Sequence, residues 1–289
     1  MTDTAISSAD KTLAATPMAS RAGFGERRFG AVNWLGLQTL LEKEVRRFLK
    51  VSFQTIVAPV ISTLLFLVVF MQAIGAGRAD IDGVPYVEFL APGLVMMAIL
   101  TNAFANSSSS IIIGKVQGSI VDVLMPPLSA SELSVAFVVG AAARGLLVGA
   151  VTAATSAFFM MGSPAPMQIA HPLAIFYFST IAAIMFGMLG VIGGVWADKF
   201  DQLAAVNNFV ITPLTFLSGT FYAVRALPEP FLTFSHFNPV FYLIDGFRYG
   251  FTGAAEASIA LGAAVSLGVT MALGVWSYLL LKSGYKLKS

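Results

Sequence analysis

The sequence predicts an all-α integral membrane protein with six transmembrane helices, and three observations carry that expectation. Hydrophobic residues make up 57% of the 289 and charged residues only 11%, with a mean hydropathy of +0.81; a soluble domain carries about 25% charged and 45–50% apolar residues. Charge-free stretches long enough to cross a bilayer recur along the chain. Lysine and arginine collect in alternate connecting segments. The chain has no cysteine, which excludes a disulfide framework, a thiolate metal site and a cysteine nucleophile. His171 and His236 are too few and too far apart for a metal cluster, and no metal is expected. The net charge of +2 says little by itself; its placement says more.

A hydrocarbon core of roughly 30 Å needs about 20 apolar residues of helix, because each adds ~1.5 Å and lipid leaves no backbone polar group unpaired. Six stretches meet this requirement, at about 52–76, 89–113, 133–161, 172–196, 203–223 and 258–281. The third and fourth come from one apolar region too long for a single crossing, divided where Gly162, Ser163, Pro164, Pro166 and Pro172 stop helices. Thirteen lysines and arginines fall before the first span, after the last, or in the loops after spans two and four. The opposite loops hold only Arg78, Arg225 and Arg248. The positive-inside rule then places both termini in the cytoplasm, and an even number of spans agrees by putting them on the same side. Residues 1–28 read as a disordered cytoplasmic tail without the apolar core of a secretory signal, and 283–289 as a second cytoplasmic tail.

Two cytoplasmic segments are more than connections. In "FGAVNWLGLQTLLEKEVRRFLK", Phe29 to Lys50, apolar Trp34, Leu37, Leu41, Val45, Phe48 and Leu49 recur at helical spacing, while Glu42, Lys43, Glu44, Arg46 and Arg47 fill the other face. The pattern predicts a helix in the membrane interface, either an anchor with snorkelling basic residues or a docking face for a cytoplasmic partner. In "GKVQGSIVDVLMPPLSASEL", Gly114 to Leu133, Val116, Ile120 and Leu124 sit four apart, and Pro126 with Pro127 ends the helix they predict. Ser129 or Ser131 then caps the next span, with Glu132 near its N-terminus. Such a piece suits a tight turn or a mechanical contact to a moving partner.

The pattern G-x-I-x-D-x-L-M-P-P-L-S-x-x-E from Gly118 to Glu132, the stretch "FLSGTFYAVRALPEPF" from Phe216 to Phe231 and the segment "NPVFYLIDGFRYGF" from Asn238 to Phe251 together resemble the membrane-spanning subunit of ABC-2 type transporters. The likeness covers roughly Trp34 to Lys282, and its nearest branch resembles bacterial multidrug-type permeases, with relatives that export lipo-oligosaccharide or polysaccharide.

That resemblance implies the ABC-2 exporter fold: an interfacial connecting helix carrying Glu42, Glu44, Arg46 and Arg47, and a coupling helix over 115–125. Lys115, Gly118, Ile120, Asp122, Leu124, Met125 and Pro126 would meet an ATPase there. A re-entrant external element over 225–251 would precede the last span. In it Asn238 and Pro239 break the chain, Phe241, Tyr242, Phe247, Tyr249 and Phe251 would anchor it at the interface, and Asp245 and Arg248 lie one turn apart, able to pair. Spans two and five would line a pathway through Asn102, Asn106, Asn208, Phe209, Thr212 and Phe216, although helix packing accounts for these polar groups equally well. Pro213 suits a gate as well as an ordinary kink.

No GxxxxGK[ST] occurs in the sequence, so the chain is expected to bind no cofactor and to be no enzyme, with ATP and Mg held by a separate ATPase subunit. The implied assembly is two permeases, as a homodimer or heterodimer, with two ATPases in a bacterial inner membrane and no nucleic acid. The expected cargo is amphiphilic, drug-like or lipid-linked, with a glycan as the alternative. Arg144 is the one charge inside a predicted span and should face protein or water, or snorkel if the span starts later. Gly140, Gly145, Gly149, Gly187, Gly190 and Gly194 read as close-packing faces. A proton-coupled transporter would need acids or histidines inside the spans, and a membrane-embedded enzyme a clustered nucleophile; the sequence offers neither clearly.

Overall fold

The computed structural model describes residues 32–73, 81, 83–161 and 167–287; the predicted tail over 1–28 lies outside them. The chain divides into a unit ending at Asn33 and a second from Trp34 to Ser289, and the second is described here. Its helices are α1 (Trp34–Lys50), α2 (Ser52–Ala73), α3 (Tyr86–Val116), α4 (Ile120–Leu124), α5 (Ala130–Met160), α6 (Pro172–Trp196), α7 (Phe200–Val206), α8 (Thr212–Leu217), α9 (Glu229–Phe237), α10 (Pro239–Thr252) and α11 (Ile259–Ser283). Five of them, α2, α3, α5, α6 and α11, are long and apolar enough to cross a membrane.

Local chemistry explains the boundaries. Ser129 caps α5 by accepting from the Glu132 amide, and Glu132 accepts from the Ser129 amide at 2.6 Å, a reciprocal pairing that satisfies two donors otherwise left open at a helix start. Pro172 opens α6 at the position where a missing amide costs nothing. Asn238 accepts from the Val240 amide and starts α10 ahead of Pro239.

The fifth predicted span, over 203–223, is not one regular helix. After α7 the chain widens into a π-helical turn over Asn207–Ile211 and tightens again into α8, which ends at Leu217. Thr212 Oγ1 donates to the Asn207 carbonyl at 2.9 Å, joining the Thr212 amide on the same acceptor, and Pro213, lacking an amide, sits in the first turn of α8. The predicted coupling helix is also shorter than expected, because Lys115 and Val116 complete α3 and only Ile120–Leu124 form α4.

α3 lies at the centre, against α5 and α6. A Cβ on Gly190 would come within 2.2 Å of Ser107 Oγ and 2.5 Å of the Phe104 carbonyl, so the backbones of α3 and α6 meet where only glycine fits. Gly140, Gly145, Gly149, Gly187 and Gly194 also face neighbouring helices at close range, as the sequence predicts. α10 packs into this assembly through Val240, Leu243, Ile244 and Phe247, which share a core with Phe178, Phe186 and Leu100.

The aromatic residues of α10 depart from the expectation. Phe241, Tyr242, Phe247 and Phe251 are buried and do not stand out as interfacial anchors, because α10 presents apolar side chains to α6 on one side and to α3 and α11 on others. Tyr249 stacks on His171 at 4.4 Å between ring centroids, and the Gly250 carbonyl accepts from the Ala170 and His171 amides. The described part of the C-terminal segment packs against the helices. Gly284 takes a positive φ of 65° to end α11, and Leu287 turns back into the core.

Candidate functional site

The segment between α3 and α5 combines a fixed base with an open apex. Gly118 takes φ +71°, which a residue with a Cβ rarely adopts, and turns the chain out of α3. Ile120 and Val123 point inward among Leu40, Leu133 and Phe137. Asp122, Pro126 and Pro127 are exposed, and Met125 is 76% exposed beside open Val121. Asp122 and Met125 therefore share the outward surface, whereas Ile120 holds the base and Leu124 is half-buried.

Lys115 belongs to the base. Its Nζ donates to the Val195 carbonyl at 2.9 Å and also to that of Ala197, and lies 3.5 Å from Asp198, so a cation closes the C-terminal end of α6 where carbonyls lack partners. Lys286 reaches the same place, donating to Asp198 at 2.7 Å and to the Trp196 carbonyl at 3.1 Å. The hydrogen bond from Lys286 holds the Asp198 carboxyl below its usual range, and Asp198 in turn raises the Lys286 ammonium.

α1 does not expose all its charges. Glu42 and Arg46 form an exposed i, i+4 pair, of a kind that contributes little. Glu44 is 1% exposed and takes a hydrogen bond from Ser110 Oγ at 2.6 Å. Arg47 donates to Glu44 at 3.1 Å, to the Asn106 carbonyl at 2.7 Å, to Asn106 Oδ1 at 3.0 Å and to Ser109 Oγ at 3.1 Å. The buried row is Leu40, Glu44 and Phe48, while Trp34 and Leu49 are exposed. This corrects the predicted faces: charge pairing with polar α3 outweighs the apolar stripe in setting how α1 rotates.

One turn from Asn106 along α3, Asn102 Oδ1 accepts from Arg144 Nη2 at 3.2 Å. Arg144 therefore faces protein, and Asn102 and Asn106 bridge helices. Beyond Asn102 lies a cavity of about 380 Å³ bordered by Thr101, Ser108, Phe200 and Asn207. Asn208 is exposed and Phe209 is 81% exposed, so both point away from the rest of this chain. Phe216 packs edge-on against Phe221 at 5.0 Å.

Arg248 sits in α10 with its guanidinium 3.7 Å from the Phe89 ring centroid, donating to the Phe89 carbonyl at 3.1 Å and the Gly219 carbonyl at 2.6 Å. Its ionic partner is Glu256, at 3.8 Å. Asp245 instead accepts from the Glu256 and Ala257 amides at 2.9 and 3.0 Å, so the i, i+3 pairing open to these residues gives way to a clasp on the following loop. Burial raises the Glu256 carboxyl above its usual range, against the opposing hydrogen bond from the Arg225 amide and the charge of Arg248. Asn238 Nδ2 donates to Ser218 Oγ at 2.6 Å and ties the start of α10 to the end of α8.

Residues 36–252 match the family described as ABC-2 type transporter. The chain belongs to that family. The inner membrane transport permease YadH of Escherichia coli strain K12 is 37% identical over 258 residues, covering 89% of this chain and 98% of that protein. Nodulation protein J of Rhizobium leguminosarum biovar viciae is 27% identical over 241 residues, or 80% and 87% of the two chains. In this ABC-2 chain sequence reasoning missed Asp198, Glu256 and Phe89 altogether, and read Ser109 and Ser110 as polar groups of the second span without their contacts to α1. Phe89 sits in an apolar run, and only three-dimensional proximity distinguishes it, as it alone reveals which helix the serines bind.

Proposed function

We propose that this chain is the membrane subunit of an ATP-driven exporter in a bacterial inner membrane. Two copies, or one copy and a related permease, would work with two separate ATPase subunits that hold ATP and Mg. Six crossings are made by α2, α3, α5, α6, the broken run from α7 to α8, and α11; α9 and α10 form the re-entrant element on the outer side, and both termini are cytoplasmic. Family membership supports this reading. So does the similarity to an inner membrane transport permease.

The observation that carries it is the apex of Asp122, Met125 and Pro126 standing on a buried base. An exposed apolar tip flanked by an acid, mounted on α3 and α5 without slack, suits a cleft in a moving partner. α3 and α5 each have 31 residues, about 46 Å of helix against a core of roughly 30 Å, so both reach past the membrane to carry that apex. Irregular backbone at membrane depth, as in the run from α7 to α8, is tolerable where it lines protein or a water-filled pathway. The export cargo would be amphiphilic or lipid-linked. The test is affinity purification of the permease with its neighbouring ATPase, followed by vanadate-sensitive ATP hydrolysis in proteoliposomes. A permease that inserts normally and never retains an ATPase would overturn the proposal.

A further inference from the structure

The polar layer joining α1, α3 and α5 holds more positive charge and more donors than it can satisfy. Arg47 and Arg144 bring two guanidinium groups and Glu44 one carboxylate. Both Glu44 oxygens are already engaged, by Ser110 and Arg47. The carbonyl and Oδ1 of Asn106 accept from Arg47, and Asn102 Oδ1 accepts from Arg144. Among the described residues no acceptor meets Arg47 Nε, Arg144 Nε or Asn106 Nδ2, all three buried. Asn106 itself is 0% exposed. Three such donors around two adjacent asparagines are unusual, since buried polar groups are almost always paired. What the layer lacks is an anion rich in acceptor oxygens.

Of these groups, Arg47 borders open space. Arg47 lines a cavity of about 630 Å³ along α1 with Lys43, Arg46 and Lys50. Asn102 and Ser109, partners of Arg144 and Arg47, line the separate 380 Å³ cavity that Phe200, Leu203 and Ala204 also border. A groove with four cations and the single acid Glu42 thus opens onto Arg47, and Arg144 lies behind it, joined to α3 through Asn102. From this arrangement we infer a binding site for a phosphate group, formed by Arg47, Arg144 and Asn106 and entered from the basic groove of α1. Two planar guanidinium forks suit phosphate oxygens, and a basic interfacial helix concentrates anionic headgroups at its surface. The site takes a phosphate-bearing amphiphile, with its head on the arginines. That such a molecule is also the cargo rests on the exporter reading; the binding itself does not.

The experiment uses the purified full chain in neutral detergent, with thermal unfolding and native mass spectrometry as readouts and neither ATPase nor transport required. Titration with phosphatidylglycerol, compared with phosphatidylcholine, should raise the unfolding temperature saturably and leave about one lipid bound. Arg144→Gln should weaken that response at least tenfold, while Lys282→Gln, which removes an exposed cation elsewhere on the cytoplasmic side, should change it less than twofold. Asn106→Asp keeps an acceptor for Arg47 and supplies a built-in negative charge where a donor lies open. It should fold, and it should lose the lipid response. That second variant keeps the test decisive if Arg144→Gln does not fold. A response to inorganic phosphate alone, with the same dependence on Asn106, would assign the site to a soluble phosphate compound. Equal responses in the parent and Asn106→Asp, or none to either probe, would overturn the inference while leaving the ATPase test above untouched.

Discussion

Arg248 and Glu256 form a buried ion pair, Nη1 to Oε1 at 3.8 Å, that joins α10 to the loop leading into the last long helix. The other nitrogens of the guanidinium hold the carbonyls of Phe89 and Gly219, so one side chain ties α3, the turn after α8 and the pre-α11 loop together. Replacing Arg248 by Met leaves two carbonyls without their donor and takes from a buried carboxylate one of the two cations near it, Arg248 and Arg225. Removing one partner of such a pair costs about 3–5 kcal/mol. We expect Arg248→Met to unfold well below the parent in detergent, and Arg248→Lys to recover only part of the loss, because one ammonium cannot span both carbonyls and the carboxylate. Unchanged melting of Arg248→Met would refute this.

The same loop sets a pH dependence. Glu256 has its carboxyl raised above the ordinary 4.5 by burial, so in the folded protein it takes up a proton at a higher pH than in the unfolded chain. Folded protein then binds more protons in the window above 4.5, and this group favours folding increasingly as pH falls through that window. Asp198 runs the other way: its carboxyl is lowered from 3.8, and its contribution disappears only as pH falls below that value. Melting temperatures from pH 7 towards 5 should therefore rise less for Glu256→Gln than for the parent, while Asp198→Asn keeps the parent's slope.

Gly190→Ala tests the contact between α3 and α6. The added methyl would meet Ser107 Oγ at 2.2 Å and the Phe104 carbonyl at 2.5 Å, and overpacking of this kind typically costs about 1–3 kcal/mol. Pairing it with Ser107→Ala should recover part of the stability, because the backbone carbonyl still blocks the methyl. Gly268→Ala, with nothing within 4 Å of its new Cβ, should be neutral or stabilising by up to about 1 kcal/mol. Thermal shifts of the four proteins settle the order.

At the apex, Met125→Glu and Asp122→Lys should lower ATP-driven transport at least tenfold in proteoliposomes while insertion and melting stay as in the parent. Both side chains are outward, so folding does not depend on them. The half-buried Leu124 should instead show mixed loss of stability and transport. Full transport by Met125→Glu would remove the apex from the proposed contact with the ATPase.

The boundaries of the long helices were legible because apolar length and capping chemistry are local: 172–196 is predicted and found, and Ser129 with Glu132 caps as its spacing suggests. The rotation of α1 was not, since its decisive partners Asn106, Ser109 and Ser110 lie about sixty residues away. Nor was the burial of α10, whose aromatics look interfacial until α3, α6 and α11 surround them. Hydropathy counts apolar residues without recording hydrogen-bond spacing, so the stretch over 203–223 looks like one span although its ladder changes pitch at Asn207. Gly118 and the double proline did announce a turn, but not which side of α4 would face outward.

The widened turn at Asn207–Ile211 has a practical consequence. A π-helical turn holds an extra residue, so the angular phase of side chains before it does not continue after it. Because the chain contains no cysteine, single thiols can be introduced and labelled there without background. Reactivity plotted along this stretch should oscillate with one phase up to Val206 and resume, shifted, from Thr212, so that an ordinary helical-wheel projection drawn through both halves would assign the wrong residues to the reactive face.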